Sequence, residues 1–192
     1  MILNGVSVGL GSGATSSISR FVGAKNHKKA SQSAAHSLLI FLIASVVLTI
    51  VLLILQEPLL KLYGASGESL AQGIKYGTPL FLGLFAFIFA NGASGILRGE
   101  GDMKRAIYAV VVSVILNAIL DPICIYILGW GSAGAAIATI LSSICSAIVI
   151  LYWILVKKDT YVDVNLGEFK FDSSIAKDIL KVGIPASMDM LV

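Results

Sequence analysis

The chain has 192 residues, of which 57% are hydrophobic and 13% are charged, and its mean hydropathy is +0.91. Soluble domains average about 45–50% apolar and about 25% charged residues, and disordered chains are less hydrophobic still, so the composition excludes both classes. The net charge of +3 does not indicate a nucleic-acid partner, because the basic residues lie in short clusters between long apolar runs. The composition predicts an all-α, polytopic helical membrane protein with the lipid bilayer around it.

Six apolar segments follow each other along the chain. A helix needs about 20 such residues to cross a membrane. Transmembrane strands would alternate apolar and polar residues over about ten positions, whereas these runs are continuous, which favours helices. We predict a short span at 1–19, full spans at 30–56 and 76–97, two more in 106–156 on either side of a break at 129–132, and the start of another at 179–192.

The basic residues between these spans indicate the orientation of the chain. Four lie in 20–29, three in 98–105 and five in 157–181, which makes 12 of the 14 lysines and arginines. Because such residues collect on the cytoplasmic side, we predict that the loops 20–33, 98–105 and 157–178 are cytoplasmic. The loop 56–73 is then external, and we expect a short interfacial helix in it at Leu59, Leu60, Leu62 and Tyr63. The segment 157–178 is long enough to join two halves of a larger protein, or it is a plain solvated linker.

The sequence lacks the motifs of an enzyme. Cys124 and Cys145 lie inside apolar runs without the spacing of a metal site, and His27 and His36 have no partners at ligand spacing. We find no Ser/His/Asp set, no pair of catalytic carboxylates and no nucleotide-binding motif. A secondary transporter, a channel and a structural bundle therefore remain as interpretations.

Asp121 is the one charged residue inside the apolar stretch 106–156. A carboxylate inside a span costs about 2.5–3.5 kcal/mol on insertion scales, so it indicates function. Asn117 lies four residues earlier on the same helical face, and Pro122 deprives the carbonyl of Ala118 of its helical partner. One turn thus offers three hard oxygen ligands for a small cation or a proton. The alternative is a structural cap near the outer end of the helix.

Depth along the helices indicates which other polar residues lie near Asp121. Asp121 follows Arg105 by 16 residues, or about 24 Å, and Thr139 precedes Lys157 by 18 residues, or about 27 Å, at 1.5 Å per residue. These two side chains are therefore expected to face each other in the outer half of the membrane. Asn91 lies only about 10 Å from the inner end by the same rise. Hydrogen bonding between helices is the alternative role for Asn117 and Thr139.

Small residues and a glycine-containing turn complete the pattern. Glycines at positions 5, 9 and 13 form a ladder, and Gly134 pairs with Ala138, which predicts close helix approach and specifies no substrate. The segment 98–102 predicts a tight cytoplasmic turn, either a plain solvated turn or part of a gate.

Four stretches together resemble the MATE (multidrug and toxic compound extrusion) transporters. They are SRFVGAK at 19–25, LRGEGD at 97–102, NAILDP at 117–122 and GSAGAAIAT at 131–139, and KVGIPA at 181–186 is similar to the entry into the second lobe of that family. The resemblance implies a fold with twelve helices in two lobes of six. Residues 1–156 would then be the membrane helices of the first lobe, from a partial second helix to the sixth. Residues 157–178 would be the cytoplasmic inter-lobe linker, and 179–192 the start of the seventh helix.

The resemblance also implies a function. MATE transporters of the cell membrane export organic cations and amphipathic toxins in exchange for Na⁺ or H⁺, without an organic cofactor. Asn117, Asp121 and Thr139 would be ligands of the coupling ion, with Asn91 in the surrounding polar network. We expect the chain to be a piece of such an antiporter that lacks the first helix and the second lobe. The alternatives are a lipid-linked precursor or polysaccharide exporter of the same superfamily, and a membrane scaffold subunit without transport.

Overall fold

The computed structural model describes residues 2–157, 160–164 and 171–189, and these residues form a bundle of helices. The all-α prediction is confirmed. Four of the helices are long and apolar enough to cross a membrane, as the four predicted full spans require. The helices are α1 (Ile2–Gly23), α2 (His27–Leu62), α3 (Gly67–Glu100), α4 (Met103–Pro122), α5 (Gly131–Leu151) and α6 (Ser173–Asp189), and α4 and α5 continue as π-helical turns at Ile123–Ile127 and Tyr152–Lys157.

Local sequence signals decide where these helices begin and end. The predicted break at 129–132 is confirmed: Gly129 and Gly131 adopt φ values of 69° and 56°, which residues with a Cβ rarely adopt. The predicted tight turn after α3 is confirmed as well. Gly101 ends α3 at φ 91°, and the Asp102 carboxylate caps α4 by accepting the N–H of Arg105 at 3.0 Å.

The predicted interfacial helix in the loop 56–73 is wrong as a separate element. Leu59, Leu60 and Leu62 continue α2 beyond Pro58, and Tyr63 closes the helix with its N–H on the carbonyl of Leu59. A proline inside a helix lacks an N–H and crowds the preceding turn, but membrane helices tolerate it because neighbouring groups satisfy the freed backbone carbonyl, and α2 runs through Pro58. The turn between α2 and α3, predicted to be external, is thereby reduced to residues 63–66.

The segments predicted to be cytoplasmic are also more helical than expected. Only residues 24–26 separate α1 from α2, because the Asn26 side chain caps α2 by accepting the N–H of Lys29 at 3.1 Å. At the other end of the chain, the Asp172 carboxylate accepts the N–H of Ser174 at 2.9 Å, so α6 begins at Ser173, inside the predicted linker 157–178. Residues 158–159 and 165–170 of that linker lie outside the described residues.

Glycines allow the helices to approach closely, as predicted for Gly134. A Cβ on Gly95 of α3 would lie 2.5 Å from the carbonyl oxygen of Gly11 of α1. A Cβ on Gly134 of α5 would lie 2.6 Å from the backbone of Cys124. Contacts this short exclude any side chain, so the backbones of α1 and α3, and of α4 and α5, are in direct contact. The second of these contacts positions the polar residues considered next.

Candidate functional site

The polar residues of α4 lie at its end, where the backbone geometry changes. Asn117 Nδ2 lies 3.4 Å from Asp121 Oδ1, so the amide donates to the carboxylate one turn later. After Pro122 the N–H of Ile123 bonds to the carbonyl of Leu120, and the N–H of Leu128 bonds to that of Ile123. The helix thus passes from a tight turn into a wide π-helical one, a feature that often marks functional sites.

Thr139 of α5 joins these two residues. Asn117 Nδ2 lies 3.3 Å from Thr139 Oγ1, and the threonine hydroxyl donates to the carbonyl of Ala135 at 3.0 Å. The predicted proximity of Asn117, Asp121 and Thr139 is therefore present in the fold. We call these three residues the carboxylate cluster.

The carboxylate cluster faces an open side of the bundle. Thr139 is exposed, and Asn117 and Asp121 are half-buried. In the observed arrangement the Asn117 amide nitrogen faces both partners. Rotation of the amide by half a turn would present its oxygen instead, because the two ends of the amide have the same shape. A carboxylate, an amide oxygen and a hydroxyl would then converge, a donor set that suits a hard cation such as Na⁺.

Transition-metal chemistry has no comparable support. Among the described residues, no group of three or more His, Cys, Asp or Glu side chains could hold a metal ion. The carboxylate cluster contains one carboxylate and two neutral polar side chains, so a single positive charge balances it. This balance of charge suits a monovalent cation or a proton.

Asn91, predicted to belong to the polar network around these ligands, lies in a cavity next to the carboxylate cluster. Its amide donates to the carbonyl of Phe87 in its own helix at 2.9 Å, and it lines a cavity of about 180 Å³ between α3, α4 and α5. Ser143 of that cavity donates to the carbonyl of Thr139 at 2.8 Å, which places the cavity one turn of α5 from the carboxylate cluster. We call it the serine cavity after four of its lining residues, Ser94, Ser113, Ser143 and Ser146.

These serines are not among the predicted site residues, although one of them has a position that the sequence could have indicated. Ser113 precedes Asn117 by four residues, just as Asn117 precedes Asp121, so all three lie on one face of α4. The polar face of α4 is therefore one turn longer than predicted. The serines on α3 and α5 gave no comparable signal, because serine is common in the interfaces of membrane helices.

Comparisons with known proteins agree on one family. The family model MatE matches residues 1–123. The chain is 30% identical to the multidrug export protein MepA of Staphylococcus aureus over 185 residues, which cover 96% of this chain and 41% of that protein. It therefore spans less than half the length of this relative.

Solved structures give a closer match. The chain is 44% identical to a multidrug resistance MATE family transporter of the MOP superfamily, and the whole chain is covered in each comparison. The TM-score is 0.91 against an inward-facing conformation, of which the chain covers 43%. It is 0.93 against an outward-facing conformation, of which the chain covers 42%.

Proposed function

Because the chain belongs to the MatE family of transporters, we propose that it forms most of the first lobe of a multidrug efflux antiporter. Proteins of this family are transporters rather than enzymes, and their multidrug exporters are multi-pass proteins of the plasma membrane. The full-length protein would export organic cations or amphipathic toxins in exchange for Na⁺ or H⁺. The observation that carries this proposal is the carboxylate cluster inside a membrane helix pair.

Coupling would arise from neutralisation of Asp121. In the structure, the Asp121 carboxylate accepts a hydrogen bond from the Asn117 amide, which also donates to Thr139. A cation or proton on Asp121 neutralises the negative charge that this amide stabilises. The hydrogen bond from Asn117 to Asp121 is then weakened, and the polar contacts between α4 and α5 can rearrange. Exchange of ion and substrate requires that each stabilises a different conformation of the protein, which is alternating access.

We propose that part of the substrate binds in the serine cavity, apart from the coupling ion at the carboxylate cluster. Drug-sized ligands occupy pockets of roughly 300–1,000 Å³, so a cavity of about 180 Å³ accommodates only one portion of such a molecule. Its hydroxyl and amide groups are neutral, so they can bind polar groups of varied drugs without a fixed charge requirement. Ser143 connects this cavity to the carboxylate cluster through the backbone of Thr139.

The boundaries that we propose for the parts of the chain come from its resemblance to the same family. Residues 1–156 would be first-lobe helices, 157–178 the inter-lobe segment and 179–192 part of the seventh helix, with the loops 20–33, 98–105 and 157–178 in the cytoplasm. The contacts between these loops support their common side. His27 stacks on Tyr161 with ring centroids 3.8 Å apart, and Glu100 Oε2 accepts the N–H of Val162 at 3.1 Å.

The test of the proposed function is drug resistance in cells that produce the full-length protein. We expect Asp121→Asn to lower resistance to the level of the empty vector while the amount of protein in the membrane is unchanged. Glu57→Gln is the matched control, because Glu57 forms an exposed ion pair with Lys61, and such pairs contribute only about 0–1 kcal/mol. Parental resistance in the Asp121→Asn variant would exclude the coupling role of this carboxylate.

A further inference from the structure

An apolar groove lies on the surface of the bundle where α2, α3 and α5 meet. Its volume is about 270 Å³, and it is lined by Phe89 of α3, by Leu151 and Leu155 of α5, and by four residues of α2 between positions 35 and 42. All of these side chains are hydrocarbons. Leu42, at the end of the groove nearer the middle of α2, is 44% exposed. The groove is therefore open to the surroundings of the bundle.

The position of the groove along α2 places it beside the acyl chains of one membrane leaflet. Lys28, near the start of α2, precedes Leu42 by 14 residues, or about 21 Å at 1.5 Å per residue. Half of a bilayer, with its headgroups, is about 20–22 Å thick. With the Lys28 ammonium group at the level of the headgroups, the groove therefore follows the lipid chains of the predicted cytoplasmic leaflet.

Basic side chains lie at this headgroup end of the groove. Lys28 is on the same face of α2 as Ala35 and Leu42, because residues seven positions apart are separated by about two helical turns. Lys157 ends the π-helical turn that continues α5, two residues after Leu155. Both lysines are exposed, and Lys28 forms no ion pair with another residue that the structure describes. The end of the groove thus offers positive charge to an anion.

A hydroxyl group adds a hydrogen-bond donor at the same end. Ser31 follows Lys28 by three residues on α2, and its Oγ accepts the N–H of Asp163 at 3.0 Å. The hydroxyl proton of Ser31 remains available to a further acceptor. Asp163 brings one negative charge to this region, where the three lysines within 25–29 and Lys157 bring four positive charges. The charge is therefore positive on balance, and it complements a phosphate group.

This combination selects a negatively charged amphiphile. Basic pockets between membrane helices on the cytoplasmic side bind the headgroups of anionic lipids. Organic cations, the proposed substrates, would be repelled by the same lysines. We propose that the groove holds one acyl chain of an anionic phospholipid, whose phosphate is bound by Lys28, Ser31 and Lys157. The inference does not depend on drug export, since it requires only a membrane with its headgroups at this end of the bundle.

Native mass spectrometry of the full-length protein in detergent tests the role of the headgroup. The probes are dioleoyl phosphatidylglycerol and dioleoyl phosphatidylcholine, which share their acyl chains and differ in net charge. We expect phosphatidylglycerol to fill one site before any other, and Lys28→Gln to weaken its binding about fivefold. Lys75→Gln is the matched control, because Lys75 is exposed at the opposite end of the bundle. Equal binding of the two lipids, or equal affinity of the two variants for phosphatidylglycerol, would overturn the proposal.

Two substitutions on α2 test the place of the acyl chain. Leu42→Gln puts a polar amide into the groove, whereas Ile43→Gln puts the same amide at the same depth on the neighbouring face, where Ile43 is 53% exposed and does not line the groove. We expect the affinity for phosphatidylglycerol to fall several-fold in Leu42→Gln only. Equal melting temperatures without added lipid would verify that both variants are folded.

The remaining outcomes of this experiment decide against the proposal. If Leu42→Gln and Ile43→Gln bind phosphatidylglycerol equally well, the acyl chain lies outside the groove. If the parent protein shows no saturable site, another part of the full-length protein covers the groove. Should either glutamine disturb folding, Lys28→Gln still tests the proposal, because it changes an exposed side chain outside the apolar groove.

Discussion

Asn117 is the residue that holds the carboxylate cluster together. Its amide is shared between Asp121 Oδ1 at 3.4 Å and Thr139 Oγ1 at 3.3 Å, so neither bond has ideal geometry. A shared and stretched donor is released more easily than one in a short single bond. This suits a site in which an ion has to compete with the amide for the carboxylate.

At this scale we predict the effect of removing the Thr139 hydroxyl. Thr139→Val keeps the shape of the side chain and deletes one oxygen, and a hydrogen bond to a charged group is worth about 1.5–3 kcal/mol. If Na⁺ is the coupling ion, we expect the Na⁺ concentration that gives half of the thermal stabilisation to rise about tenfold or more, because 1.4 kcal/mol corresponds to a factor of ten. Thermal unfolding of the full-length protein in NaCl against choline chloride measures this. Thr139→Ser retains the hydroxyl and is the control, and an equal loss in both variants would contradict the assignment.

At the scale of helices, direct backbone contact organises the bundle. Thr15 Oγ1 lies 2.8 Å from the carbonyl oxygens of both Gly11 and Gly95, so it bridges α1 and α3 at the point where their glycines meet. Two helices in lipid gain little from apolar burial against each other, so they associate through such close packing and interhelical hydrogen bonds. α1 is therefore held between α3 on one side and α6 on the other.

We predict that Gly95→Ala destabilises the bundle. Its Cβ would lie 2.5 Å from the carbonyl oxygen of Gly11, so α1 and α3 must separate. Overpacking of this kind costs typically about 1–3 kcal/mol. Gly23→Ala at the end of α1 is the control, because no atom lies within 4 Å of the added Cβ. We expect a lower melting temperature in detergent for Gly95→Ala only, and equal melting temperatures would refute the close contact.

At the scale of the whole molecule, the three segments richest in basic residues meet at one end of the bundle. The turn 24–26 leads into His27, which stacks on Tyr161, and the end of α3 contacts the backbone of Val162. A bundle placed across a membrane therefore exposes the three segments on the same side. The distribution of lysine and arginine predicts that this side is the cytoplasm.

Cysteine accessibility in intact cells tests this orientation. In a full-length protein without other cysteines, we expect Trp130→Cys to react with a membrane-impermeant maleimide added outside. Lys25→Cys should react only after the cells are opened, because the turn 24–26 would lie in the cytoplasm. Both positions are exposed, so burial does not confound the comparison. The reverse pattern of labelling would contradict the predicted topology.

The features that depend on short stretches of chain could be predicted from the sequence. Apolar run length specified the four full spans, basic clusters specified a common side, and spacing by four residues placed Asn117 and Asp121 on one face of α4. These signals are local, because hydropathy and helical periodicity act within one helix. The limits of the helices were less predictable, since caps such as Asn26 and Asp172 extend helices beyond the apolar residues.

The contacts between distant parts of the chain could be seen only in the folded bundle. It showed that the Asn117 amide nitrogen is shared between Asp121 and Thr139, that Asn91 lines a neighbouring cavity, and that α6 rests on α1. These outcomes depend on how helices rotate and approach, which is set by glycine contacts such as that of Gly134 with the backbone of Cys124. Many pairs of helices in lipid could satisfy the same hydropathy, so the choice among them requires the complementary shapes of the folded bundle.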